Sequence, residues 1–316
     1  MPDKNNRYFT AHEEITSVAR LSIYSNTFLL FTKLAAGFLM GSISVLSEAF
    51  HSGIDLLAAV ITNYSVKKAG KPADEVHKFG HGKFENVSGT VEAILIFIAA
   101  IIILYKAGEK ILTRGEVEFV GAGIVIMGIS IVVNFYVSRK IMKVARKAES
   151  IALEADAYHL TTDVYTSVGV FIGLVLIQIT KNPIFDPVFA IIVALIILKA
   201  SYDLTKRSVS GIMDVKLSDK EENIIKSIIA EHYSEYAEYH DLRTRISGAE
   251  RFVDLHLVVP KNQHVADAHE FCDHLEKDIK EKIPNLSILI HIEPCETDCE
   301  ICRNLDVCKA PDNAND

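Results

Sequence analysis

The sequence predicts an α-helical membrane protein in which six transmembrane helices precede a cytoplasmic α+β domain of order αββαβ. Three observations lead there. The 316-residue chain is 49% hydrophobic with a mean hydropathy of +0.22, high for a wholly soluble protein. Several windows reach the roughly 17 to 25 apolar residues that cross a bilayer as a helix. The apolar character stops near Gly211: from Ile212 onward there are 23 acidic and 12 basic residues, so a total charge of −8 leaves +3 for the preceding part.

Taken in order, the apolar segments run over about 17–40, 43–66, 88–111, 117–138, 159–180 and 184–207. The second (SEAFHSGIDLLAAVITNYSV) and fifth (ADAYHLTTDVYTSVGVFIGLVLIQ) carry ionisable residues in mid-span and are expected to face the bundle interior; the third and fourth read as lipid-facing. The connections 67–87 and 139–158 are rich in Lys and Arg, whereas those at 41–42, 113–116 and 181–183 hold few, which places both termini in the cytoplasm. The polar N-terminal stretch MPDKNNRYFTAHEE predicts no cleavable signal peptide, so the first helix serves for insertion.

The expected division is 1–209 for the N-terminal segment and membrane domain, 210–294 for the soluble domain and 295–316 for a cysteine-rich tail. Within the soluble part, a helical pattern from Asp219 to His232 precedes the alternating strands HDLRTRIS and RFVDLHLVV. A helix from Ala266 to Ile283 and a strand SILIHIE follow. An acidic domain argues against nucleic acid as a partner and is compatible with small cations.

The chemistry concentrates in two His-x3-Asp pairs. His51 and Asp55 share one helical face, as do His159 and Asp163. A single pair reads equally as an intrahelical hydrogen bond. Two pairs in two membrane helices are harder to explain that way, because buried ionisable groups cost several kcal/mol unless partnered or functional. Two imidazoles and two carboxylates suit tetrahedral Zn2+, with Fe2+, Co2+ and Cd2+ behind it; Mg2+ and Ca2+ prefer more oxygens. Histidine must shed its proton to bind metal, so metal and protons compete at such a site. Glu48 is placed at the cavity mouth; Lys33 and Glu92 receive no role.

The pieces SEAFHSGID, KPADEVHKFGHGK, AYHLTTDVYTS and HDLRTRISG resemble the cation diffusion facilitator family, closest to its bacterial zinc and ferrous-iron efflux members, over about residues 15–295. The resemblance implies a homodimeric, proton-coupled divalent cation exporter of the inner (cytoplasmic) membrane, with His51, Asp55, His159 and Asp163 as its transport site. In those bacterial members the first position is often Asp; the His51 found here is similar to the zinc-selective branch. Asp74, His77 and His81 match the family's loop site, and His240, His256, His269, His291 and Glu293 match its cytoplasmic-domain sites, with Glu293 in place of the usual Asp. Lys83 and Asp214 match positions that form salt bridges at the membrane–cytoplasm junction. His232, His264 and His274 match no motif and read as surface residues. Cys295, Cys299, Cys302 and Cys308 fall outside the resemblance and read either as a metal-binding tail or as incidental reduced cysteines.

The expected function is therefore Zn2+ efflux by proton antiport, with Fe2+, Mn2+ or Cd2+ efflux as the alternative cargo. A membrane-anchored metal sensor is the alternative of another class. An enzyme is disfavoured, since four protein ligands leave no open metal position and no H-E-x-x-H or nucleophile motif is present.

Overall fold

The computed structural model describes residues 4–40, 43–113, 121–180 and 184–295. They fall into two compact units divided after Ile212.

The first unit holds six helices: α1 (Lys4–Met40), α2 (Ile43–Ala69), α3 (Lys83–Thr113), α4 (Gly121–Ala148), α5 (Ile151–Thr180) and α6 (Phe185–Ile212). The principal pairings are α1 with α2, α3 with α6 and α4 with α5. Small residues let the backbones approach, as lipid-embedded helices require: Ala93, Ala100, Ala155 and Ala194 are fully buried. A Cβ on Gly89 would lie 2.9 Å from the Ser208 hydroxyl and 3.3 Å from the Ile151 carbonyl oxygen, so α3 sits close against its neighbours there because residue 89 has no side chain.

Outward, the helices present apolar side chains such as Phe28, Phe31, Ile98, Ile101, Val132 and Leu195. Among the described residues, Lys83–Leu112 and Pro187–Ile212 are long and apolar enough to cross a membrane on composition alone. The other helices dilute that signal with polar groups turned inward, including Asn26 and Lys33 in α1 and Asp55, Thr62 and Asn63 in α2.

The connection expected over 139–158 is almost wholly helical. Ile141, Val144 and Ala145 are buried at helical spacing while Lys140, Lys143, Arg146 and Lys147 turn outward, so the basic run is the exposed face of an amphipathic extension of α4. The break comes at Glu149, whose φ of 53° is left-handed. Ser150 then starts α5, its hydroxyl accepting from the Leu153 amide at 3.4 Å.

The second unit runs α7 (Asp219–Glu231), β1 (Glu238–Ser247), β2 (Glu250–Val259), α8 (Val265–Lys282) and β3 (Leu286–Pro294), the expected αββαβ order. Ser218 and Glu221 form a reciprocal capping box at the start of α7. Strand β2 is central, antiparallel to β1 and parallel to β3, the parallel step being made through α8. Alternation sends Val253, Leu255 and Leu257 into a core shared with Ile225 and Ile229 of α7 and Leu275 and Ile279 of α8. Both helices therefore cover one sheet face, and the other is left for His256 and its neighbours.

Candidate metal centres

In the first unit, α2 supplies His51 and Asp55 and α5 supplies His159 and Asp163. The two pairs meet. His159 Nε2 lies 2.9 Å from Asp55 Oδ1, and His51 Nε2 lies 3.8 Å from Asp55 Oδ1 and 3.7 Å from Asp163 Oδ1. Tetrahedral ligands bonded to zinc at 2.0–2.1 Å sit about 3.3 Å from one another. The His51 separations are slightly wider than that, while the His159–Asp55 separation is a hydrogen-bond length that a shared proton fills. Asp55 and His159 are buried, whereas His51 is half exposed.

Two further residues support the cluster, and neither was assigned a role from the sequence. Asn134 of α4 donates from Nδ2 to Asp163 Oδ2 at 3.5 Å, and Lys33 of α1 donates to the Ser52 hydroxyl at 2.9 Å, next to His51. A lone Asn amid the apolar residues of α4 was the available signal. Glu92 is wholly buried in α3, accepts from the Thr62 hydroxyl and lies within electrostatic reach of His159. The side chain of Glu48 lies outside the described residues.

The loop cluster forms between α2 and α3. Asp74 Oδ1 accepts from the Val76 and His77 amides at 3.0 and 2.6 Å, an Asx turn that fixes the carboxylate. The same carboxylate is 3.3 Å from His77 Nδ1 and 3.1 Å from His81 Nε2. The His77 backbone N–H, helped by the Val76 amide and the two imidazoles, outweighs desolvation and holds the Asp74 carboxyl down to about 2. Asp74 is thus ionised throughout the physiological range and presents a fixed negative charge to a cation. His81 is buried, and among the described residues neither ring nitrogen makes a hydrogen bond, Nε2 having only the ion-pair contact to Asp74, which leaves a lone pair for a cation. Gly80, at φ 81°, permits the turn that brings His81 back.

On the open face of the sheet, register does what no spacing revealed. His240 pairs with His256 and His256 with His291, so three histidines stand in one row across three strands. Their rings are 5.2 and 4.9 Å apart. Glu293 serves all three: its carboxylate is 2.9 Å from His256 Nδ1, 3.4 Å from His240 Nε2 and 3.8 Å from His291 Nε2. A register irregularity between His240 and Arg243, with Asp241 at φ 51°, lets His240 join the row while Leu242 packs into the core. His269 stands apart on the exposed side of α8, 3.7 Å from Asp273.

Lys83 donates to the Ile212 carbonyl at 3.3 Å, and Asp214 holds Arg245 at 3.3 Å. His264, read as a surface residue, caps α8 by accepting from the Ala266 amide at 3.1 Å. Cys295 is buried and has no disulfide partner among the described residues; Cys299, Cys302 and Cys308 lie outside them.

A helical membrane unit whose interior histidines and carboxylates converge, followed by an αββαβ domain with a second histidine cluster, defines a class of cation transporter. Residues 19–213 match the cation efflux transmembrane domain, and residues 217–295 match the cation efflux protein cytoplasmic domain. The chain belongs to the cation efflux, or cation diffusion facilitator, family and is a cation efflux transporter. It is 33% identical over 278 residues to the uncharacterized transporter sll1263 of Synechocystis, covering 88% of this chain and 90% of that one. It is 29% identical to the cation-efflux pump FieF of Shewanella oneidensis, covering 89% and 94%, and 30% identical to FieF of Klebsiella pneumoniae, covering 84% and 88%. A solved structure described as the mode of action of CzrB, a candidate zinc transporter, is 36% identical over 25% of this chain and 99% of its own, with a TM-score of 0.25.

Proposed function

We propose that the protein exports Zn2+ from the cytoplasm in exchange for protons, as a homodimer of the inner membrane with both termini cytoplasmic. The observation that carries this is the convergence of His51, Asp55, His159 and Asp163 from α2 and α5 within the bundle. Two nitrogens and two oxygens fit zinc better than a hard cation, and His51, Asp55 and Asp163 bring three of those ligand atoms within 4.8 Å of one another. The His159–Asp55 separation of 2.9 Å is one that a hydrogen on the imidazole spans. Zinc takes the same lone pairs by expelling that proton, and a proton arriving from the other side expels zinc. If the bundle opens alternately, each cycle carries metal one way and protons the other.

The row on the sheet and the loop cluster supply cytoplasmic zinc sites that respond to supply. Zinc on the acidic second unit removes self-repulsion and favours pairing of two chains.

The test is Zn2+ uptake into everted vesicles with and without an inward-acid proton gradient, comparing the native protein with Asp55→Ala. Gradient-driven uptake that vanishes in the variant is expected, with Zn2+ binding by the cytoplasmic unit retained. Uptake indifferent to the proton gradient refutes the exchange, and uptake that survives Asp55→Ala refutes the site.

A further inference from the structure

We infer that the second unit carries an additional zinc site on its helical layer, built from His232, His274 and Asp278. The row of His240, His256 and His291 occupies the open sheet face, whereas α7 and α8 cover the opposite one. These three residues therefore form a separate place in the fold.

His232 follows the last residue of α7 and serves as its C-cap. Its Nδ1 is 2.9 Å from the Ile228 carbonyl oxygen. A carbonyl only accepts, so Nδ1 carries the hydrogen and, in the neutral ring, Nε2 carries the lone pair. That is the tautomer a metal ligand needs, and a backbone carbonyl on the other nitrogen is the usual means of fixing it. The His232 side chain is 11% exposed, and Phe271 packs against its ring at 6.0 Å, so its direction is set by the core.

The lone pair points at a carboxylate. His232 Nε2 lies 3.4 Å from Asp278 Oδ2, and His274 Nε2, one turn earlier on α8, lies 3.6 Å from the same oxygen. Both separations are longer than the 2.7–3.2 Å of an N–H···O hydrogen bond. Both are close to the roughly 3.3 Å between neighbouring ligands of a tetrahedral zinc. All three ligand atoms lie within 4.8 Å of one another, with the two imidazole rings 5.3 Å apart and steeply inclined. One proton between Asp278 and either ring leaves the other nitrogen facing an oxygen with nothing between them, whereas one divalent cation satisfies all three. Two imidazoles and a carboxylate select a borderline cation of the Zn2+ kind over Mg2+ or Ca2+. The fourth position is open to water, and His274, at 58% exposed, gives the ion access.

Zinc there ties the end of α7 to α8 and holds the helical layer together, independently of the sheet face and of transport through the membrane unit.

The test is protection of His274 from acylation by diethylpyrocarbonate, read residue by residue by mass spectrometry on the full-length protein in detergent. With free Zn2+ at about ten times the dissociation constant, only the unoccupied fraction reacts and His274 is acylated about tenfold more slowly. Asp278→Asn keeps the shape and removes the anionic ligand, and is expected to abolish the protection. His232→Asn is expected to weaken it, with the thermal unfolding of each variant confirming a folded domain. An unchanged His274 rate on adding Zn2+ overturns the inference. So does protection that persists undiminished in Asp278→Asn. Neither result bears on uptake into vesicles, so failure here leaves the proposed transport cycle standing.

Discussion

Asn134→Ala isolates the support of the intramembrane cluster from its ligands. Asn134 reaches Asp163 Oδ2 from α4 with a single hydrogen bond of 3.5 Å, so the substitution removes an orienting donor and leaves the four proposed ligands in place. Outer-shell partners of metal ligands are worth about 10- to 100-fold in affinity. The 3.5 Å contact is at the long limit of a hydrogen bond, which places Asn134 at the weak end, about tenfold or roughly 1.4 kcal/mol. The expected result in Zn2+-loaded proteoliposomes is a KM raised about tenfold with kcat within a factor of two or so. Asn134→Asp is expected to lose more, because a second carboxylate beside Asp163 repels it. A KM unchanged in Asn134→Ala, with the variant folded and inserted, would refute the idea that α4 positions Asp163.

Further expectations follow from packing and charge. Gly89→Val forces two methyl groups into the space filled by the Ser208 hydroxyl and the Ile151 carbonyl and is expected to destabilise the bundle by about 1–3 kcal/mol, read as a fall in detergent melting temperature. Burial raises the Glu221 carboxyl, but the Ser218 cap and the Arg251 guanidinium outweigh it and leave the group below its ordinary range. Its contribution is then present above the unfolded value of about 4.3 and lost as pH falls through the lower folded value. The stability advantage of the native protein over Glu221→Gln should therefore shrink below about pH 4. Burial pushes the Cys272 thiol up to about 11, so iodoacetamide at pH 8 should label it only after the second unit unfolds. The stability this thiol contributes holds below its unfolded value of about 8.5 and declines as pH rises above it.

The sequence made some levels of this structure readable and hid others, for physical reasons. Alternating apolar residues in RFVDLHLVV dictate which face of β2 is buried, and the four-residue steps from His51 and His159 dictate a shared helical face. Those are local periodicities. The histidine row depends on strand pairing, which joins His240, His256 and His291 from three separated segments through a bulge and a parallel crossover. His232 and His274 meet for the same kind of reason: a helix end and a helix face are brought together by a common core. The basic run at 139–147 read as a connection because charge masked the buried stripe of Ile141, Val144 and Ala145 beneath it. Asn134 was visible but mute, since a single amide in an apolar helix does not reveal its partner.

The turn at Glu149 has a mechanical meaning. Only Glu149 and Ser150 separate α4 from α5, so the two helices form a stiff hairpin with almost no slack at its joint. His159 lies ten residues from Glu149, an arm of about 15 Å at 1.5 Å per residue. Swinging α5 by about 8° about that joint moves the imidazole about 2 Å, the length of one metal–nitrogen bond. Asp163, further along the same arm, travels further for the same swing. A small tilt at a fixed pivot would thus be enough to take the two proposed ligands of α5 out of bonding range of a cation held by α2, with Asp163 displaced the farther.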